Sequence, residues 1–455
     1  MDYASLERLV MDEIRQREEE GCDVSEVRSA LAEIKSRDPS KLKAMMRSLS
    51  KLKPKPNFPY KEPSDLAEIR KERPKGPREM AISLSEEELL NKIQGGWLGR
   101  CAGCLLGKPV EGLSKEQIEK WLRIADAYPL DDYFPPLLDL PEDADEWLRR
   151  RVSNLEVLRG YINHMVRDDD IDYTIINLHI LETWGFMFTT ENVGDAWLSN
   201  LPFLRVYTAE RAAYRNLVNE LAPPETAMYM NPYREWIGAQ IRADMWGYVT
   251  PGMPEYGAAL AFRDARLSHV KNGIYGEMLV SAMISAAFAT SDIEEIIDIG
   301  LSEIPAESRL SEAVRDVIEW RGKYSDWRES WRRINEKYGH YHRVHTINNA
   351  ALVLLGLLYG EGDFERSITI SVMGGWDTDC NGATVGSILG VMLGAEKIPK
   401  KWTAPLNDRV ESFVIGYNNS RISDLAKRTF NLAKIALKRS KEGSLLEEKD
   451  FSTNE

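Results

Sequence analysis

The sequence predicts an all-α protein: a compact multi-helix domain preceded by a helical extension. Three observations carry this expectation. Ten stretches space their apolar residues as one face of a helix does, over 154–166, 172–187, 256–266, 274–290, 292–300, 311–321, 346–359, 363–373, 381–394 and 422–440. Alternating, β-branched runs bounded by turns are almost absent. The segment SLSEEELLNKIQGGWLGR opens with serines followed by glutamates, the pattern of a capped helix whose first turn carries negative charge.

In chain order, residues 1 to about 50 place Leu6, Leu9, Val10 and Ile14, then Val27, Leu31 and Ile34, at helical spacing, which predicts two short amphipathic helices. Pro54, Pro56, Pro59 and Pro63 then exclude a regular helix and predict an extended connector. The basic stretch from Lys41 to Glu79 reads as a solvated linker region. This divides the chain into an extension over 1–84, a main domain over 85–440 and a charged tail over 441–455. Within the main domain, Gly95, Gly99, Gly103 and Gly107 recur every fourth residue. Each costs about 1 kcal/mol relative to alanine inside a helix, so the stripe implies close approach by another helix or by a ligand.

With 43% hydrophobic and 29% charged residues the composition is that of a globular protein. No apolar run reaches the roughly 18 to 20 residues of a membrane span, and the N-terminus is charged where a signal peptide is apolar. Cys22, Cys101, Cys104 and Cys380 are too few and scattered for a disulfide framework, so free thiols and a cytoplasmic location are expected. A net charge of −13 disfavours binding to a nucleic-acid backbone. CxxC at Cys101 and Cys104 has no second pair and reads as small-residue packing.

Two acidic clusters point to chemistry. In RDDDIDYT, Asp168, Asp169 and Asp170 stand directly before an apolar helix; one of them suffices as a cap, and three adjacent carboxylates repel. In GGWDTDCNGATVGSILG, Asp377 and Asp379 likewise precede a helical run. Brought together, the two loops would form an oxygen-rich cage for one or two hard cations, magnesium or manganese rather than zinc, because no histidine–cysteine set has zinc spacing. Cys380 is a poor partner for a hard ion on softness alone.

The segments GGWLGRCAGCLLGKPVEG, DDDIDYT and GGWDTDCNGATVGSILGVMLGAEKIPKKW resemble, in this order, the three signature segments of the ADP-ribosylglycohydrolase family, over about 88–430. The resemblance implies an orthogonal all-helical domain holding two Mg2+ or Mn2+ ions that bind ribose hydroxyls while the bond at the anomeric carbon is hydrolysed. It implies Asp169, Asp170, Asp377 and Asp379 as metal ligands, with Asp168 and Cys380 as further candidates at the same metal site. Asp168 stands where the family has a hydroxyl residue, Cys380 where a threonine ligand is usual, and Cys104 where an aspartate is frequent. Glu111 falls at the first signature's glutamate and, with Asp169, is the candidate acid or base; chemistry agrees, since an oxocarbenium-like transition state needs a carboxylate to activate water or protonate the leaving group. Gly273, Tyr275 and Gly276 are candidates for backbone and ring contacts to the ligand, and Tyr248 for stacking on adenine. Arg242 and Asp244 read as an internal ion pair and His269 as a helix cap. The expected substrate is an ADP-ribosylated protein or small molecule; a non-catalytic ADP-ribose binder and a nucleosidase-like hydrolase of ribosylated metabolites are the alternatives.

Overall fold

In the computed structural model, which describes residues 2–34, 38–140 and 144–442, helices make up nearly all of the regular secondary structure, and the strands among the described residues are the short antiparallel pair Arg409–Glu411 and Asn419–Arg421. The predicted tail lies outside the described residues from 443 onward. Among the described residues no helix is long and apolar enough to cross a membrane.

Two helices form the axis of the domain. Ser85 caps Glu86–Gly107 with a full capping box, its hydroxyl accepting from the Glu88 N–H and the Glu88 carboxylate accepting from the Ser85 N–H. This helix runs antiparallel to Thr378–Leu393 and meets it glycine to glycine. A methyl group on Gly95, Gly99 or Gly103 would lie 2.1, 2.0 and 1.9 Å from the carbonyl oxygens of Gly390, Gly386 and Gly382, and one on Gly107 would lie 2.1 Å from the Thr378 carbonyl. The glycine stripe is therefore a backbone-to-backbone seam between helices.

Eight of the ten expected helices in the main domain are found within a few residues of their expected bounds, for example Thr346–Gly360 and Ile422–Lys441, and the 172–187 pattern is the helix Asp169–Trp184 with a 3-10 turn after it. The expected helix over 154–166 is not. Only Leu155–Val157 forms a 3-10 turn, because Gly160 adopts φ +86° and Met165 leaves the helical path to pair with Val410. Lys115–Ile124, Thr190–Asn200, Thr208–Val218 and Trp327–Tyr338 are further helices.

Residues 1 to about 50 form three helices instead of the expected two among the described residues, Tyr3–Glu19, Ser25–Ala32 and Pro39–Leu49, around a small core of their own that includes Leu6, Val10, Leu42 and Leu49. The stretch read as a solvated linker is docked. It contains the helix Leu66–Glu72, whose Leu66 and Ile69 enter the main core. Arg73 and Arg78 converge on the buried Glu303, and Arg309 on Glu62 and Glu235. Arg234, buried in the main domain, binds Glu13 on the first helix and Glu20 just after it. Buried charges need partners, and here the two segments supply each other's.

Candidate active site

The glycine seam ends where the candidate residues begin. Because the helices run antiparallel, the C-terminus of Glu86–Gly107 and the N-terminus of Thr378–Leu393 lie side by side, and Thr378 Oγ1 donates to the Gly107 carbonyl at 2.8 Å. The chain after the first helix is then clasped to the chain before the second: the Gly112 N–H donates to the Trp376 carbonyl at 2.7 Å and the Trp376 N–H to the Leu113 carbonyl at 3.1 Å. Gly112 and Gly375 take φ +74° and +83°, which lets the two turns nest. This sets Glu111 beside Asp377. Asn349 holds the second turn from behind, accepting from the Asp377 N–H and from the Asn381 amide.

Arg100, fully buried on the first helix, brings in the third segment. Its guanidinium donates to the Asp170 carbonyl oxygen at 2.7 Å and lies 2.7 Å from Asp244 Oδ2. Asp168 caps the helix Asp169–Trp184 through the Asp170 N–H. Asp172 turns away and serves the fold, accepting from Ser412 Oγ, the Phe413 N–H and Arg167 Nε.

The result is a cavity of about 370 Å³ on which Glu111, Asp168, Asp169, Asp170, Asp377 and Asp379 converge, with Lys108, Arg167, Tyr207, Glu210 and Cys380 also in its wall. Ligand atoms of Asp377, Asp379 and Cys380 lie within 4.8 Å of one another, as do those of Cys104, Asp168 and Asp170. The two groups touch where the Cys380 thiol donates to Asp170 Oδ2 at 3.3 Å. Lys108 donates to Asp168 Oδ2. Asp379 Oδ1 is buried with no hydrogen-bond partner.

Dehydration and mutual repulsion dominate the electrostatics. Burial, then Glu111, push Asp377 up to about 7. Burial, then the surrounding carboxylates, push Asp379 well above the usual range. Burial and the Asp168 charge do the same to Asp169 and Asp170, against Arg167 and Arg100 respectively. Asp168 is the exception: burial disfavours its charge, but the Lys108 ammonium outweighs this and its carboxyl is held low. The Glu111 side chain is exposed by area yet sits in the concavity, where dehydration and then Asp168 raise its proton affinity; its open position makes the dehydration weaker than for the buried aspartates. Oxygen donors in excess of the local cations, one of them unpartnered and buried, fit a hard divalent ion such as magnesium or manganese.

The structure brings Glu111, Asp168, Asp169, Asp170, Asp377, Asp379 and Cys380 together. It does not bring the expected substrate-binding residues to the cavity. Tyr248 is fully buried with its hydroxyl 2.5 Å from Ser387 Oγ, so its ring has no face free for adenine. Tyr275 is buried and donates to the Pro63 carbonyl. Gly273 abuts the Arg234 carbonyl and His269, and Gly276 abuts Thr346 and Gln240. Arg242 and Asp244 are both ion-paired but not to each other: Arg242 binds Asp264 and Glu210, and Asp244 binds Arg100. His269 caps no helix; it is buried with Nδ1 against Ser268 Oγ. Lys108 and Arg167 also stand in the cavity wall; in sequence Arg167 directly precedes Asp168 and Lys108 lies three residues before Glu111, and that proximity was the available signal.

The family model described as ADP-ribosylglycohydrolase matches residues 85–438. The chain belongs to the ADP-ribosylglycohydrolase family. No curated protein matches it. A solved structure described as "ADP-ribosylglycohydrolase-related protein complex" is similar at 18% identity and a TM-score of 0.48, covering 77% of this chain and 99% of its own. In this member of the family all three signature segments contribute side chains to a single cavity.

Proposed function

We propose that the chain is a metal-assisted glycoside hydrolase that cleaves the bond at the anomeric carbon of an ADP-ribosyl or related ribosyl group, carried by a protein side chain or a small molecule. One observation carries this reading: six carboxylates from three distant segments face one cavity, with a buried oxygen of Asp379 left unpartnered. Asp169, Asp170, Asp377 and Asp379 are the residues that would hold magnesium or manganese. Bound there, a hard cation offers vicinal hydroxyls a second pole of attachment and eases loss of a proton from water. Glu111, at the open side, takes the proton of the attacking water or returns one to the leaving group, and its raised proton affinity suits both tasks.

The rim of the cavity supports a nucleotide-like substrate. The Arg205 and Arg167 guanidinium groups lie 4.5 and 5.0 Å from the centre of the Phe413 ring, and that of Arg211 lies 5.3 Å from the centre of Tyr207. Both rings are more than one-third exposed, and Tyr207 reaches the cavity wall. Exposed rings beside guanidinium groups suit a base and its phosphates. The net negative charge argues against nucleic-acid partners, and the four free thiols accord with a cytoplasmic setting.

The test is incubation of the full chain with Mg2+ or Mn2+ and ADP-ribosylated arginine, serine and nucleobase conjugates. Release of ADP-ribose from one of them, lost in Asp377→Ala/Asp379→Ala, is expected. Release no greater than in the double variant rejects the hydrolase reading, and uptake of ADP-ribose without turnover replaces it with a binding role.

A further inference from the structure

We propose that Lys108 is a resident cation of the carboxylate cage, so that this chain holds a single divalent ion, on the Asp377–Asp379 side, in place of the two implied by resemblance. The inference rests on the metal reading above and refines it.

The two acidic clusters are equipped differently. On the Asp168 side, the Lys108 ammonium donates to Asp168 Oδ2, with the lysine side chain 23% and the aspartate 2% exposed. Arg100 stands behind Asp170 at 3.4 Å, and Arg167 lies 3.9 Å from Asp169. Arg100 also pairs with Asp244 and Arg167 with Asp172, so Lys108 is the cation committed to this cluster, and it meets the charge of Asp168. On the other side, neither Asp377 nor Asp379 makes an ion pair among the described residues, both are only 4% exposed, and Asp379 Oδ1 has no hydrogen-bond partner. A buried carboxylate oxygen without a partner is costly, and this one faces the cavity shared with Asp169 and Asp170.

Chain geometry links the two features. Lys108 follows Gly107 at the end of the glycine seam, where the first helix tightens into the 3-10 turn Lys108–Val110 and delivers the ammonium to the Asp168 carboxylate. Asp168 is also the residue that stands where a hydroxyl is usual. The additional negative charge of Asp168 and the positive charge of Lys108 cancel, and an ammonium bound to a carboxylate repels a second dication from the same oxygens.

Mn2+ titration of the full chain, followed by equilibrium dialysis and electron paramagnetic resonance, tests this. The wild type is expected to take one Mn2+ per chain with the six-line spectrum of an isolated ion. Lys108→Met is expected to take two, with the broadened spectrum of a coupled pair, while Lys108→Arg keeps one. Thermal unfolding confirms that each variant is folded, and the Arg variant keeps the test decisive if the Met variant does not fold. Two coupled ions in the wild type, or still one in a folded Lys108→Met, overturn the assignment of Lys108 and leave the metal reading standing. A folded wild type that takes no Mn2+ overturns the metal reading itself.

Discussion

Replacing Gly99 by alanine puts a methyl carbon 2.0 Å from the Gly386 carbonyl oxygen and 2.8 Å from its carbon. The obstacle is backbone in a buried helix, so no side chain can rotate away, and the helices must separate by more than 1 Å, taking ordinary van der Waals contact as about 3.5 Å. Overpacking of this kind costs about 3 kcal/mol at the upper end of its usual range, and alanine returns about 1 kcal/mol of helix propensity, leaving about 2 kcal/mol of destabilisation. For a domain of this size that is a fall of about 3 °C in Tm. Gly322→Ala is the matched control. It lies in the helix Arg309–Lys323 with nothing within 4 Å of the added methyl, so the propensity gain stands alone and Tm should rise by about 1 °C. Differential scanning calorimetry of both variants reads the opposite signs. A Gly99→Ala protein as stable as Gly322→Ala would refute the claim that the seam is closed backbone to backbone.

Further outcomes follow from the site and its supports. Mn2+ at about 100 times its Kd should stabilise the wild type by about 2.7 kcal/mol and leave Asp377→Ala/Asp379→Ala unmoved, as read by thermal unfolding; equal stabilisation of both would place the ion elsewhere. Asp377 has its folded pKa raised to about 7 from 3.8. Without metal, the stability it withholds is absent below pH about 4, grows through about 4 to 7 and levels off above, so the metal-free protein should lose stability with rising pH across that window. Mn2+ affinity should rise over the same window, since the ion requires the carboxylate, and dialysis at stepped pH checks it. Glu303→Gln leaves Arg73 and Arg78 without their shared carboxylate; both are partly exposed, so the loss should be about 2 kcal/mol, with faster proteolysis within residues 73–85.

Much of the site was legible because its parts are local. Asp168–Asp170 and Asp377–Asp379 each declare themselves within a few residues, next to a helix start, and Ser85 and Glu88 announce their cap. Ser114 with Gln117 and Thr189 with Asn192 announce two more caps that the periodicity alone did not reveal, and the structure forms both boxes. What the sequence could not show is pairing across distance. The regular apolar spacing of 154–166 competes with the pairing of Met165 to Val410, and the strand pairing prevails. Tyr248 looks like a ring for stacking until Ser387, 139 residues away, takes its hydroxyl. Arg242 passes over Asp244, two residues away, because Asp264 and Glu210 meet its guanidinium inside the core.

The spacing of the glycine seam has a consequence for how the chain finds its native register. Glycines every fourth residue on both helices make the seam nearly self-similar: sliding one helix by one repeat, about 6 Å, would still face Gly99 with Gly390, Gly103 with Gly386 and Gly107 with Gly382. Packing alone discriminates poorly between those alignments. The contacts that do are specific to one of them: the Thr378 hydroxyl on the Gly107 carbonyl and the exchange of backbone bonds between Gly112, Leu113 and Trp376. Those same contacts put Glu111 beside Asp377. A molecule trapped one repeat out of step could keep its helices and much of its core while its carboxylates never meet, so competence at the cavity reports that the alignment is correct.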